Sequence, residues 1–452
     1  MSLGADQSRA DQGELTRRAV AKAGRRLVWV LVLMYVINYL DRVNVGFAAL
    51  TMNRDLGLSN AAYGLGAGLF FIGYFLFEVP SNLILHKVGA RLWMARIMIS
   101  WGILASAMAF IQGPGTFYLV RFLLGFAEAG FFPGIVLYLT YWFPRANRAK
   151  VMSLFMLGVP LASVFGAPVS TWLIQNGSGV LGFEQGWRTM YFIEGLPAIV
   201  LGCLVFALLP SRPDKARWLS EDEARALSAT IAAEDAARVP HQPTVWRAMR
   251  HPKVVALSAV YFGVVFGLYG LGFFLPKIIS GMQQQYGVKF SLVQVGLITA
   301  IPYAVGAVVM LLNARHSDRS GDRVWHTAVP AFVGAAGVAT ALYMNSPVLA
   351  IAALTVCTAG VLAAIPVVWQ LPTAFLGGFG AAAGIALINS FGNLSGFLGP
   401  YLTGKLSDLT GSFQAGMWVI AGFMAAAGVI VLSLRREAAS EAASDVGPDQ
   451  GG

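Results

Sequence analysis

Charge is what this sequence has least of. Of its 452 residues only 12% are Asp, Glu, Lys or Arg, against about 25% in an ordinary soluble domain. So few ionised groups cannot furnish a water-facing surface for a chain this long, which excludes a soluble globular protein. Cysteine is nearly missing too. Cys203 and Cys357 are the two present, both inside apolar runs, so there is no disulfide framework and no cysteine metal site. The five histidines fall in loops or tails, and no H-E-x-x-H motif occurs. Segments of about ten residues alternating apolar and polar are absent, which removes a transmembrane β-barrel. Gly399-Pro400-Tyr401-Leu402-Thr403-Gly404-Lys405 nearly spells a phosphate-binding loop. Leu406 stands where that loop needs Ser or Thr, however, and an apolar run precedes it instead of a strand. The chain therefore reads as a non-enzyme with no cofactor and no metal.

What is abundant is apolar sequence: 57% of the residues are hydrophobic and the mean hydropathy is +0.65. The apolar residues come in blocks of roughly 20, enough to cross about 30 Å of hydrocarbon as helix. This is the pattern of an all-α polytopic membrane protein. Twelve spans are predicted, near 27–50, 62–85, 93–112, 117–142, 150–174, 189–209, 254–275, 292–313, 325–344, 348–371, 381–402 and 414–434. The first run is too long and too interrupted by charge for a cleaved signal peptide. The spans divide the chain into a cytoplasmic tail (1–26), a six-helix bundle (27–209), a polar linker (210–253), a second six-helix bundle (254–435) and a disordered tail (436–452). In the linker, Ser220-Glu221-Asp222-Glu223 reads as a capping box opening a helix to about Arg238.

The net charge of +10 is spread over loops rather than gathered on one face, so it speaks for topology and against nucleic acid. With both termini inside, cytoplasmic segments hold 25 Lys and Arg. Outer loops hold five: Arg54, Arg188, Lys277, Lys289 and Lys405. That bias fixes both termini as cytoplasmic.

The two halves echo each other at a constant offset. His86-Lys87-Val88-Gly89-Ala90-Arg91 follows the second span, and Asp318-Arg319-Ser320-Gly321-Asp322-Arg323 follows the eighth. Gly166-Ala167-Pro168 on the fifth span has its counterpart in Gly399-Pro400 on the eleventh. Six-plus-six spans in two parallel repeats resemble the major facilitator superfamily, whose loop motif D-R-x-G-x-R is matched by the second copy; His86 replaces the acid in the first. The resemblance implies a substrate site near the midplane, between the halves.

Ionisable residues inside the spans are Asp41, Arg42, Glu78, Arg121, Glu128 and Glu194, all in the first half. Charges at membrane depth are expensive and mark function by default. Counting helical rise puts Asp41, Arg42 and Arg121 at similar depth, roughly 6–10 Å from the outside, and Glu128 near the middle. These depths allow an Asp41–Arg121 ion pair, leaving Arg42 free to take a ligand carboxylate with its planar fork; Asp41 either neutralises Arg121 in this way or titrates. Glu128, with no cation at its depth, is expected to take up protons. Glu78 and Glu194 sit close to span ends and read as structural. Asn38, Tyr39 and Arg42 share a face of the first span, and Tyr74 and Glu78 lie four apart on the second. The second half offers only polar groups away from its span ends, among them Tyr269, Trp369, Gln370, Asn389 and Asn393.

Tyr39-x-Asp41-Arg42, Tyr74-x-x-x-Glu78-Val79-Pro80 and Arg121-x6-Glu128 together resemble the anion:cation symporter family. That family includes permeases for tartrate, galactonate, phthalate and 4-hydroxyphenylacetate. Phe77-Glu78-Val79-Pro80-Ser81-Asn82 and the following loop look most like its bacterial tartrate and aromatic-acid branch. The resemblance covers the chain from about Arg25 to Arg436. It implies carboxylate binding by Arg42 and Tyr39, proton coupling through Asp41 and Glu128 with Arg121 partnering Asp41, and further substrate contacts from Tyr74, Trp369 and Asn389. The expectation is an inner-membrane secondary transporter, working as a monomer, that imports a small organic anion with protons. A tartrate-like hydroxy acid leads and an aromatic carboxylate follows. A facilitator or antiporter of the same fold, and a membrane receptor or enzyme, are the rival readings.

Overall fold

A backbone crossing lipid has no water to bond, so each span must satisfy its own N–H and C=O groups as helix. The computed structural model describes residues 2–236, 251–372 and 381–445, and among these the regular elements are helical. The first half comprises α1 (Ser2–Asp55), α2 (Asn60–Val88), α3 (Ala90–Ala107), α4 (Pro114–Glu128), α5 (Phe131–Trp142), α6 (Arg145–Met156), α7 (Gly158–Asn176) and α8 (Gly186–Leu208). Helix α9 (Glu221–Ala236) follows on the linker. The second half comprises α10 (Pro252–Gly272), α11 (Leu275–Tyr286), α12 (Leu292–Ser320), α13 (Trp325–Ala341), α14 (Pro347–Val368), α15 (Ala381–Thr410) and α16 (Gln414–Asp445). Paired end to end, α4–α5 and α6–α7 make the fourth and fifth spans. Nine helical stretches among the described residues are by length and composition apolar enough to cross a membrane. With α1, α13 and α15 they fill the twelve predicted positions.

Both tails contain helix. Helix α1 already runs through the segment read as a polar tail. That segment is docked: Ala19 and Ala23 are fully buried, and Lys22 Nζ lies 2.7 Å from the Glu223 carboxylate on α9. The Lys22 ammonium holds the Glu223 carboxyl below the usual carboxylate range. The expected capping box is present, with Ser220 N–H donating to Glu223 at 3.0 Å and Glu223 N–H to Ser220 Oγ at 3.2 Å. At the other end α16 continues to Asp445, well into the segment read as disordered. The expected end of the linker helix at Arg238 lies outside the described residues.

The halves meet most closely at the ends of their helices facing away from α9. There α2 packs on α15 so tightly that a Cβ at Gly64 would stand 2.3 Å from the Pro400 carbonyl oxygen. Asp408 of α15 caps the first turn of α2, accepting from Asn60 N–H at 3.0 Å and Ala61 N–H at 2.7 Å. Tyr63 donates to the Phe273 carbonyl at 3.0 Å, and Gly296 of α12 abuts Ala167 and Thr171 of α7. The repeated loop motif has a physical counterpart as well. Gly89 and Gly321 both adopt positive φ, +88° and +72°, where a side chain would be strained.

Candidate functional site

Between the halves lies a narrow central cavity walled by α1, α2, α5, α6, α7, α10, α14 and α15. Arg42 of α1 reaches it. One guanidinium nitrogen donates to the Tyr269 hydroxyl of the second half at 3.0 Å. Another makes a short charge-assisted bond to Glu128 of the first half. The guanidinium carbon stands 5.1 Å from the Phe70 ring centroid and 5.4 Å from that of Tyr74. Aromatic faces suit a weakly hydrated guanidinium, so the cage helps Arg42 stay charged out of water. Its Nε has no partner.

Glu128 stands where the fourth span breaks. Helix α4 ends on it, Ala129 is non-helical (φ −55°, ψ 130°), and Gly130 has φ +90°. The Ala129 carbonyl freed by the break accepts from Ser81 Oγ at 2.6 Å. Ser81 in turn accepts from the Trp93 indole at 2.9 Å. Side-chain repair of this kind is what allows irregular backbone at membrane depth.

The expected charge pairing is overturned. Among the described residues Asp41 and Arg121 make no ion pair, and Arg42 is not free. The Asp41 carboxylate accepts from the Trp101 indole at 2.9 Å, and its other oxygen is unpartnered. Arg121 is fully buried, donates to the Ala67 carbonyl at 3.1 Å and lies 5.1 Å from the Phe70 ring centroid. Depth alone misled because it ignores the direction in which each helix face points. Neighbouring residues differ by about 100° around a helix, so Asp41 turns to α3 while Arg42 turns to the cavity. Glu128, predicted to lack a cation, has Arg42.

Tyr39, Tyr74, Trp369, Asn389 and Asn393 all line the cavity with Arg42. Asn389 already has a bond, donating to Glu78 across the halves at 2.7 Å. Glu194 accepts from Ser170 at 2.6 Å and from Asn44 at 3.0 Å within the first half. Residues missed by the sequence reading are Tyr35, Phe132 and Tyr261, which complete the wall, and Trp101. Tyr35 was legible, being four residues before Tyr39 on one helical face. Nothing in the sequence pairs Trp101 with Asp41, because that contact joins residues 60 positions apart. The site can hold a small anion on one cation, amid hydroxyl and amide groups, under aromatic walls.

Comparison with known proteins agrees with this fold. The family model described as Major Facilitator Superfamily matches residues 31–400. A protein of Agrobacterium vitis named "Putative tartrate transporter" is 49% identical over 423 residues, 94% of this chain and 92% of its own. A metabolite transport protein of Pseudomonas putida, NicT, again named as putative, is 41% identical over 93% of this chain and 95% of its own. Among solved structures, the xylose transporter XylE from E. coli, in a partially occluded inward-open conformation, superposes with a TM-score of 0.73. It shares 14% identity, over 91% of this chain and 98% of that one. At that identity the likeness is one of fold.

Proposed function

The chain belongs to the major facilitator superfamily, and from that premise we propose that it imports a small organic anion by proton symport with alternating access. As a member it is a multi-pass membrane transporter and not an enzyme. The proposed setting is a bacterial inner membrane with both termini cytoplasmic, as the Lys and Arg bias favours. The proposed substrate class is a carboxylate, led by tartrate-like hydroxy acids, the substrate that the Agrobacterium vitis relative's name gives for that protein.

One observation carries the reading: Arg42 bridges Glu128 of its own half and Tyr269 of the other half inside the cavity. Ionised Glu128 occupies the guanidinium fork that a substrate carboxylate needs. A proton on Glu128 removes that competitor, and Arg42 then takes the carboxylate in bidentate fashion. The loaded centre keeps the net charge of the empty one, so the halves can rock without carrying an unpaired charge through low dielectric. A dicarboxylate brings a second negative charge, and a proton on Asp41 is its counterpart. Tyr39, Tyr74, Asn389 and Trp369 shape the remainder of the site, and Arg121 is the second buried cation of the first half.

In proteoliposomes, Glu128→Gln is expected to exchange tartrate without a pH gradient and to lose accumulation driven by an acid exterior. Normal gradient-driven accumulation by this variant would remove Glu128 from the coupling. Lumen acidification on adding substrate separates symport from facilitation or antiport. A second reading, an aromatic carboxylate, is favoured by the cavity wall of Tyr35, Tyr39, Tyr74, Phe132, Tyr261 and Trp369. Competition between tartrate and 4-hydroxyphenylacetate distinguishes the two.

A further inference from the structure

A second cavity, of about 680 Å³, lies away from the transport site at the face carrying α9. Arg26 of α1, Arg91 at the start of α3, and Lys215 and Arg217 before α9 contribute four cations to its wall, and no carboxylate lines it. Arg217 has no hydrogen bond or ion pair among the described residues. The Arg26 guanidinium makes no ion pair there either, and stands 5.6 Å from the Trp218 ring centroid. Arg91 donates to the Phe206 carbonyl and keeps a buried Nε with no partner. Lys215 has Asp214 at 3.8 Å, the one carboxylate among the described residues that forms an ion pair with any of the four.

Four cations converging on one hollow repel each other unless an anion joins them, and three guanidinium groups with an ammonium match the oxygens of a phosphate. One side of the hollow is apolar. Trp29 is 54% exposed and Phe206 45% exposed on the outer surface of spanning helices near their ends, a level at which aromatic rings meet lipid headgroups. We infer that this cavity binds a phosphate-bearing anion, with the phosphate among Arg26, Arg91, Lys215 and Arg217 and the apolar remainder along Trp29 and Phe206. Two sources share that chemistry: an anionic phospholipid of the adjoining leaflet and a soluble phosphate ester. Because Arg217 sits on the linker joining the halves and Arg91 on the first copy of the repeated loop, the bound phosphate ties the linker to the first bundle.

The test uses the full-length protein in zwitterionic detergent, with dioctanoyl phosphatidylglycerol, dioctanoyl phosphatidylcholine and glycerol 3-phosphate as probes. Native mass spectrometry and thermal unfolding read binding. Phosphatidylglycerol is expected to bind saturably and raise the melting temperature, and phosphatidylcholine to do neither. The double variant R26Q/R217Q should weaken phosphatidylglycerol about tenfold. The double variant R18Q/R225Q removes the same charge from surface ion pairs elsewhere and should bind as the wild type does. Arg217→Gln alone, which removes no bond of the fold, should show a smaller loss and serves if the double variant is unstable. Both outcomes for glycerol 3-phosphate support the site: equal affinity assigns a soluble ester, and much weaker affinity assigns the lipid. Equal binding of the two lipids would show contact that does not read charge, equal loss in both double variants would show diffuse surface charge, and either result would overturn the inference.

Discussion

Arg42 is more than a charge at membrane depth. Its fork is shared between an acid of one half and a hydroxyl of the other, and its face is covered by three aromatic rings, of Phe70, Phe71 and Tyr74. A lysine keeps the charge but offers a strongly hydrated point instead of a planar fork. Arg42→Lys is accordingly expected to lower substrate affinity at least about tenfold, or about 1.4 kcal/mol, while the protein still folds. Uptake kinetics across substrate concentrations check this, and an unchanged half-saturation concentration would show that the fork does not hold the substrate. Asp41, one residue earlier, lives in a different environment. Bonded to Trp101 and with one oxygen unpartnered, it makes no ion pair among the described residues, which suits the second proton site proposed for it.

At the scale of elements, the break between α4 and α5 is the feature that places Glu128. A continuous helix would carry the backbone N–H and C=O of this stretch past the cavity without pause. The break instead turns the end of α4 into the site, and Ser81 and Trp93 stabilise the opened carbonyl. Gly130 makes the turn possible, since φ +90° disfavours any residue with a side chain. A Cβ there would also stand 2.2 Å from Ser81 Oγ. Gly130→Ala is expected to destabilise the protein by at least about 1–2 kcal/mol from backbone strain alone, and to impair transport beyond that loss by displacing Glu128. Thermal unfolding paired with uptake at matched folded protein tests this. Wild-type melting and uptake would mean that the turn tolerates a side chain and does not position the glutamate.

For the whole molecule, the arrangement of contacts at the face opposite α9 fixes which way the cavity is shut. Asp408 grips the N-terminus of α2, where unpaired N–H groups favour an anion. Asn60 also donates to Ser407 at 3.2 Å. Under alternating access this closure must open once per cycle. A disulfide joining Asn60→Cys to Ser407→Cys is therefore expected to abolish uptake under oxidation, with recovery on adding reductant. Undiminished uptake by the cross-linked protein would show that substrate does not pass between these helix ends.

The sequence by itself determined the membrane class, the twelve spans, the two repeats and the α9 capping box. Each rests on local composition or on fixed spacing, and these survive translation into helices because hydrocarbon admits little else. Arg42, Tyr39 and Tyr74 were legible because polar groups are rare in spans and those present must face protein or cavity, whereas Trp369 and Asn389 joined them through the family resemblance. Tertiary structure alone decided who pairs with whom. Helical rise gives depth and leaves open the direction a side chain takes, so Asp41 was assigned to Arg121 when it meets Trp101, and Glu128 was left alone when it meets Arg42. It also decided that the fourth span breaks at Gly130, since glycine in an apolar run permits a left-handed turn without requiring one. The turn is fixed by Ser81 and Trp93, residues of two other helices that the chain brings there only on folding.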